Sequence, residues 1–274
     1  MRPYALVLSN DVQEPEAMLK VIEQTKDYID GVKIGITSSM QPGIEIFKKA
    51  KEIIGDKAVV LADYKVADIG FTDKKTGEWQ GTNEKILRNL AEAGTDYITC
   101  HTIVGISSIE ESVATAHKHG AKVLTLPFMT HKGAELFFGM PLNAEQRYYA
   151  QEALENYGLK RAENEILHRQ VEKAETITAL ILILGHHFGV DGYIGPANNP
   201  SVLRTYRYFT ESEIWCPGFG RQDKHGRSLE QQIKEWSEIV GKKSAMIVGS
   251  EIYKAENPAK AAKEIMEIRD RVVG

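Results

Sequence analysis

Ala58-Val-Val-Leu-Ala62 runs without a break into Asp63-Tyr-Lys-Val-Ala-Asp-Ile69, so a short apolar stretch ends in three charges. Five successive apolar residues of this kind read as a β-strand buried on both faces. Such a strand belongs in a parallel sheet covered by helices. Side chains alternate along a strand, which places Asp63 and Lys65 on one side and leaves Asp68 in the loop just beyond. Similar runs occur at Tyr4–Ser9, Gly31–Gly35, Tyr97–Cys100, Val123–Leu126, Gly192–Ile194, Ile214–Cys216 and Ala245–Val248, which makes eight strands. Helical stretches separate them. Pro15 opens one with Leu19, Ile22 and Ile29 on one face, and another runs from about Gly43 to Ile54. The last is capped by Asn257, with Pro258 in its first turn and Ile265, Ile268 and Val272 on one face.

Strand–helix alternation in eight units over roughly 250 residues predicts an α/β protein, a single-domain (β/α)8 TIM barrel. No G-x-G-x-x-G follows the first strand, which removes the usual dinucleotide signal. Two stretches exceed a minimal barrel. Residues 73–81 form a polar insertion, and residues 141–176 form a longer charged one, expected as two helices broken near Gly158.

The 274 residues are 42% hydrophobic and 26% charged, with 34 basic and 38 acidic side chains and a net charge of −4. A mildly acidic chain is a poor nucleic-acid binder, because phosphate affinity needs a basic surface. The longest strongly apolar run, Ile177 to Leu184, is too short to span a bilayer. The first residues carry no signal-peptide pattern, so a cytoplasmic enzyme is expected. Cys100 and Cys216 make neither a disulfide framework nor a metal-spaced cluster, and each sits in a strand where packing is the simpler role. His186-His187 reads as a helix end, and Lys74-Lys75 as part of a solvated insertion.

In a barrel of this type the chemistry belongs at the C-terminal ends of the strands. Asp63, Lys65 and Asp68 lie there, as does Asp11 after the first strand, and Lys33 interrupts the apolar run Val32–Gly35. A lone Asp-x-Lys is as readily a structural ion pair at the rim. Two carboxylates bracketing one lysine favour chemistry, since burying three charges costs several kcal/mol unless they compensate one another. The arrangement keeps an ammonium charged and aims negative charge at a neighbouring site.

Lys33 together with the Asp-Tyr-Lys-Val-Ala-Asp-Ile run resembles the Lys…Asp-x-Lys-x-x-Asp-Ile signature of the orotidine 5′-monophosphate decarboxylase family. The resemblance continues in order through Ser9-Asn-Asp11, Thr99-Cys-His101, Met129-Thr-His-Lys-Gly-Ala134, Cys216-Pro-Gly-Phe-Gly220 with Gln222, and Val248-Gly249 before Ile252-Tyr253. It implies decarboxylation of orotidine 5′-monophosphate to UMP in pyrimidine biosynthesis, with no metal or cofactor, by a homodimer whose subunits share their active sites. Lys65 would protonate C6 of the pyrimidine, Asp63 would crowd the departing carboxylate, and Lys33 would hold Asp63 and the ribose. Asp68 and Ile69 would enter the neighbouring subunit's pocket, with Thr72, or its rival Thr82, contacting the ligand there. Asp11 would bind ribose. Thr130, where the family usually has serine, would donate to the base. Gln222 would bridge base and phosphate, and Pro217 would line the base pocket.

Two departures stand out. The family ends its eighth strand with Gly-Arg, the arginine gripping phosphate, whereas this chain reads Gly249-Ser250. A lost charge-assisted contact costs about 1.5–3 kcal/mol. Backbone N–H groups at Gly249 and Ser250 would still bind phosphate, with Arg221 or Lys224 as the replacement cation. The segment Gly195-Pro-Ala-Asn-Asn-Pro200 also lacks an arginine often found before its last proline. The rival expectations are a metal-dependent sugar-phosphate decarboxylase or aldolase with the same Asp/Lys core, and a nucleotide-binding relative without catalysis.

Overall fold

The computed structural model describes residues 2–129, 131, 133–220, 223 and 226–274. Its strands are β1 (Ala5–Asn10), β2 (Gly31–Gly35), β3 (Val59–Val66), β4 (Tyr97–Cys100), β5 (Lys122–Thr125), β6 (Gly192–Ile194), β7 (Glu213–Pro217) and β8 (Ser244–Val248). All neighbours pair in parallel and in chain order, and β8 pairs with β1, which closes the expected (β/α)8 barrel.

Strand alternation sorts the side chains into two cores. Ala5, Val7, Leu61, Tyr97, Trp215 and Ile247 pack on one another in the barrel interior. Leu6, Leu8, Val32, Ile34, Val60 and Ala62 point the other way, into the layer shared with the helices. Both faces are apolar, which is why the strands read as unbroken hydrophobic runs. At the N-terminal end of the barrel, the Tyr97 hydroxyl and the Trp215 indole N–H both donate to Glu213, at 3.1 and 2.9 Å from Oε2. The floor is thereby filled. The cavity described below lies at the opposite end.

The helices depart from the expected faces in detail. The first covers Pro15–Thr25 and buries Met18, Val21, Ile22 and Thr25. Leu19 is only half-buried, and Ile29 reaches the core from beyond the helix end, because the chain turns at Lys26 to Tyr28 before entering β2. The last helix, Pro258–Val273, is capped as expected, with the Lys260 N–H donating to Asn257 Oδ1 at 3.0 Å. Its most buried residues are Ala262, Ile265 and Arg269, while Ile268 and Val272 are half-buried. Arg269 Nη1 lies 2.8 Å from Asp30 Oδ2, and Asp30 also accepts from the Leu6 N–H, so an ion pair ties this helix to the barrel floor.

Both long stretches fold back on themselves. Thr72 and Trp79 form an antiparallel bridge, and Asp73 Oδ1 turns the chain between them by accepting from the N–H groups of Lys75 and Thr76. Pro141 and Thr176 form a second bridge at the base of the charged excursion. Within it lie helices Ala144–Tyr157 and Glu165–Glu172, and the first ends at Gly158, whose φ of 99° suits glycine. Leu154, Leu167 and Val171 dock this pair onto Ala179 and Ile183 of helix Ile177–His187. Among the described residues no helix is long and apolar enough to cross a membrane.

Candidate active site

The inward row of β3 changes character as it rises. Val59 and Leu61 belong to the interior core, and the next inward residue is Asp63. Register places Lys33 beside Ser9 on one side and Leu61 on the other, so Lys33 reaches the same level from β2. Its Nζ donates to Asp63 Oδ2 at 2.9 Å, while Lys65 Nζ donates to Asp63 Oδ1 at 2.7 Å. Asp11 joins more loosely, 4.0 Å from Lys33 Nζ, with Ser9 Oγ donating to its carboxylate at 3.4 Å. Burial alone would raise the Asp63 pKa. The two ammonium groups and their hydrogen bonds outweigh burial and hold the carboxyl well below the usual carboxylate range.

Simple alternation does not deliver Lys65. Ala62 stands opposite Ile98 and Val66 opposite Cys100, so Asp63, Tyr64 and Lys65 all face Thr99 alone. This bulge extends β3 past Ala62, where the apolar run stops, and turns Lys65 to a left-handed φ of 49°. Thr99 is fully buried, and its hydroxyl serves both sides of the bulge: it accepts from the Lys65 N–H and donates to Asp63 Oδ1, each at 2.9 Å. His101 follows on the same side. Burial, and then the Lys65 charge, hold its imidazole below the usual histidine range.

Above this charged floor lies a cavity of about 350 Å3. Leu126, Phe128, Ile194 and Pro217 give it an apolar wall, and Asp11, Lys33, Asp63 and Lys65 give it a charged one. A planar polar heterocycle suits such a shape, its faces against hydrocarbon and its edges against fixed charges. Gly249 and Ser250 line the rim with Glu251 and Tyr253. Where the sequence pattern leads one to expect an arginine, Ser250 Oγ instead donates to Glu251 at 3.3 Å. Glu251 packs so closely over Gly220 that a Cβ there would stand 2.6 Å from its carboxylate.

Asp68 does not join the cluster within one chain. Asn83 brackets its backbone, accepting from the Asp68 N–H at 3.1 Å and donating to the Asp68 carbonyl at 2.8 Å, and Asp68 is not among the residues lining the cavity. Asp68 Oδ1 accepts from the Ile69 N–H, and Ile69 is 66% exposed. Phe71, Ile103, Val104 and Met40 are exposed as well. Thr72 sits in the bridged hairpin, whereas Thr82 opens helix Thr82–Glu92 next to Asn83 and thus next to the Asp68 loop. Thr130, Arg221, Gln222 and Lys224 lie outside the described residues. Cys100 and Cys216 are buried and unpaired, and burial pushes both thiols up to about 12, which removes them as nucleophiles.

Sequence reasoning passed over Thr99, Glu251 and Tyr253 as site residues. Thr99 carried a usable signal, since a threonine in an inward strand position opposite Asp63 must satisfy its hydroxyl inside the barrel. Glu251 carried none, because its role depends on a contact with a distant loop.

The profile of the orotidine 5′-phosphate decarboxylase / HUMPS family matches residues 4–265. The chain belongs to that family. It is 27% identical over 266 residues to the orotidine 5′-phosphate decarboxylase of Methanocaldococcus jannaschii, covering 97% of this chain and 99% of that protein. The orotidine 5′-phosphate decarboxylase of Pyrococcus abyssi is 28% identical over 264 residues, covering 96% and 97%. A crystal structure of the M. jannaschii orotidine 5′-monophosphate decarboxylase, complexed with inhibitor BMP, superposes with a TM-score of 0.72 at 26% identity over 98% of this chain and 99% of that one.

Proposed function

We propose that this chain decarboxylates orotidine 5′-monophosphate to UMP in de novo pyrimidine synthesis, without a metal, using Lys65 as the proton donor. The observation that carries the reading is the Lys33–Asp63–Lys65 array, two ammonium groups on one carboxylate, at the edge of a cavity with an apolar wall. Family membership and the names of the relatives supply the reaction. The C6–carboxyl bond breaks, carbon dioxide leaves, and the electron pair left on C6 takes a proton from Lys65 Nζ. An ammonium fixed in place stabilises that developing charge more than it stabilises the substrate. Asp63, kept ionised, repels the substrate carboxylate and favours its departure. Asp11 and Lys33 hold the ribose, and Pro217 lines the base pocket. Thr130 and Gln222 contact the base, and Gly249 and Ser250 meet the phosphate with help from Arg221.

The metal-free reading draws support from Asp63. Both its oxygens are engaged by ammonium groups, and two fixed cations disfavour a third beside them. A homodimer with shared sites is the second part of the proposal. Asp68 does not line its own chain's cavity, and the neighbouring apolar side chains Ile69 and Phe71 are exposed in one chain. In the dimer, Asp68, Ile69 and either Thr72 or Thr82 complete the neighbour's pocket. The test follows loss of orotidine 5′-monophosphate absorbance with and without a chelator. Turnover that survives chelation is expected; turnover that chelation abolishes favours the metal-dependent sugar-phosphate branch, and binding without turnover favours a non-catalytic relative.

A further inference from the structure

We infer that Thr99 is a positioning residue for the proton-donor pair, its single hydroxyl fixing both the backbone of Lys65 and the carboxylate of Asp63. The inference rests on the decarboxylase reading for its kinetic consequence but not for its geometry. Three residues of β3 bulge over one residue of β4, and that one residue is Thr99. In a regular parallel ladder the Lys65 N–H would seek a main-chain carbonyl on the neighbouring strand. Here it donates to Thr99 Oγ1 at 2.9 Å instead. The same oxygen donates its proton to Asp63 Oδ1, also at 2.9 Å, and Asp63 Oδ1 accepts from Lys65 Nζ at 2.7 Å. A closed ring results: hydroxyl, carboxylate, ammonium, and back through the Lys65 main chain.

A hydroxyl is the smallest group able to accept from one partner and donate to the other. Valine has the same shape and does neither. It would leave a buried N–H without an acceptor and take one of the hydrogen bonds from Asp63. The left-handed backbone at Lys65 adds a reason for the contact, since a non-glycine residue stays there only when its surroundings hold it. Without the Thr99 hydroxyl, Lys65 can relax toward ordinary strand geometry, and its ammonium leaves Asp63.

The groups facing Asp63 are Lys33 from β2, Lys65 from its own strand, and His101 beyond the end of β4, with Asp11 reached through Lys33. Thr99→Val, Thr99→Ser and Thr99→Ala, compared with the unmodified protein, isolate the hydroxyl among them. Serine and alanine differ only by that group, so the comparison stands even if the valine variant folds poorly. Two readouts are needed: the kcat and KM for orotidine 5′-monophosphate, and the titration of the Asp63 carboxyl carbon by NMR. The expected result is a fall in kcat of about 10- to 100-fold for valine and alanine with little change in KM, recovered by serine. The Asp63 titration should move upward in the same two variants and stay in place with serine. Equal Asp63 titrations in serine and alanine variants would overturn the inference. An unmodified protein that turns over no substrate would sink the decarboxylase reading, and the titration would still decide the role of Thr99.

Discussion

Lys65 Nζ lies 2.7 Å from Asp63 Oδ1, and the residue that carries it there has a left-handed backbone with φ of 49°. The Lys65 ammonium is thus presented by a bulge rather than by a straight strand. In most strands glycine is less stable than alanine. At a left-handed position the order reverses, because alanine's Cβ meets the following carbonyl and glycine has none. Lys65→Gly should therefore be more stable than Lys65→Ala by about 1 kcal/mol in urea unfolding, although both remove the ammonium. Alanine as the more stable variant would show that β3 is regular in solution.

His101 reports on the same charges. Burial, and then the positive charge of Lys65, lower its pKa, while Asp63 acts the other way. Lys65→Ala should raise the His101 pKa in an NMR titration, and Asp63→Asn should lower it. The sign for stability follows. A histidine whose folded pKa lies below its ordinary 6.5 contributes stability that is fully present above that pH and is lost as pH falls toward the folded value. Lys65→Ala should shrink this loss, which denaturant titrations between pH 7 and about 5 measure.

Asp68 is not among the residues lining the cavity of its own chain, and the proposed sharing between subunits is testable by mixing. Lys65→Ala and Asp68→Ala proteins should each be nearly inactive alone. If Asp68 serves the neighbour, mixed dimers contain one intact site, and random exchange restores about a quarter of full activity. If both residues serve the same chain, mixing restores nothing.

At the rim Ser250 donates to Glu251 at 3.3 Å, where the resemblance implies an arginine, and the proposed phosphate cation is Arg221. The Arg221→Ala variant should raise KM for the nucleotide by about 10- to 100-fold, the equivalent of one charge-assisted phosphate contact. Adding Ser250→Arg to that variant should restore part of the affinity. A KM unchanged by Arg221→Ala would remove Arg221 from phosphate binding.

The barrel was legible because eight apolar runs alternate with helical ones, and each strand of the structure overlaps one of those runs. The ends were less so. β3 continues to Val66 because Thr99 and Cys100 keep pairing with a bulged chain, and no periodicity in Asp63 to Val66 announces a bulge. Ile29 keeps the helical spacing of Leu19 and Ile22, but the helix stops at Thr25, where the threonine hydroxyl donates to the Val21 carbonyl and the chain turns. Lys33, Asp63 and Lys65 were visible as charges at strand ends, since an unpaired charge there is too costly to keep. Asp68 looked like a fourth member because it is three residues from Lys65. Its backbone is bonded to Asn83, fifteen residues away, a contact that sequence spacing alone does not reveal.

The central claim is that Lys65, held by Asp63, supplies the proton that replaces carbon dioxide. The most direct test follows loss of orotidine 5′-monophosphate absorbance with the unmodified protein and with Lys65→Ala under saturating substrate. Removing a general acid typically costs about 10^2- to 10^4-fold, so the unmodified protein should turn over and the variant should fall by at least that much. Comparable turnover by Lys65→Ala would contradict the account.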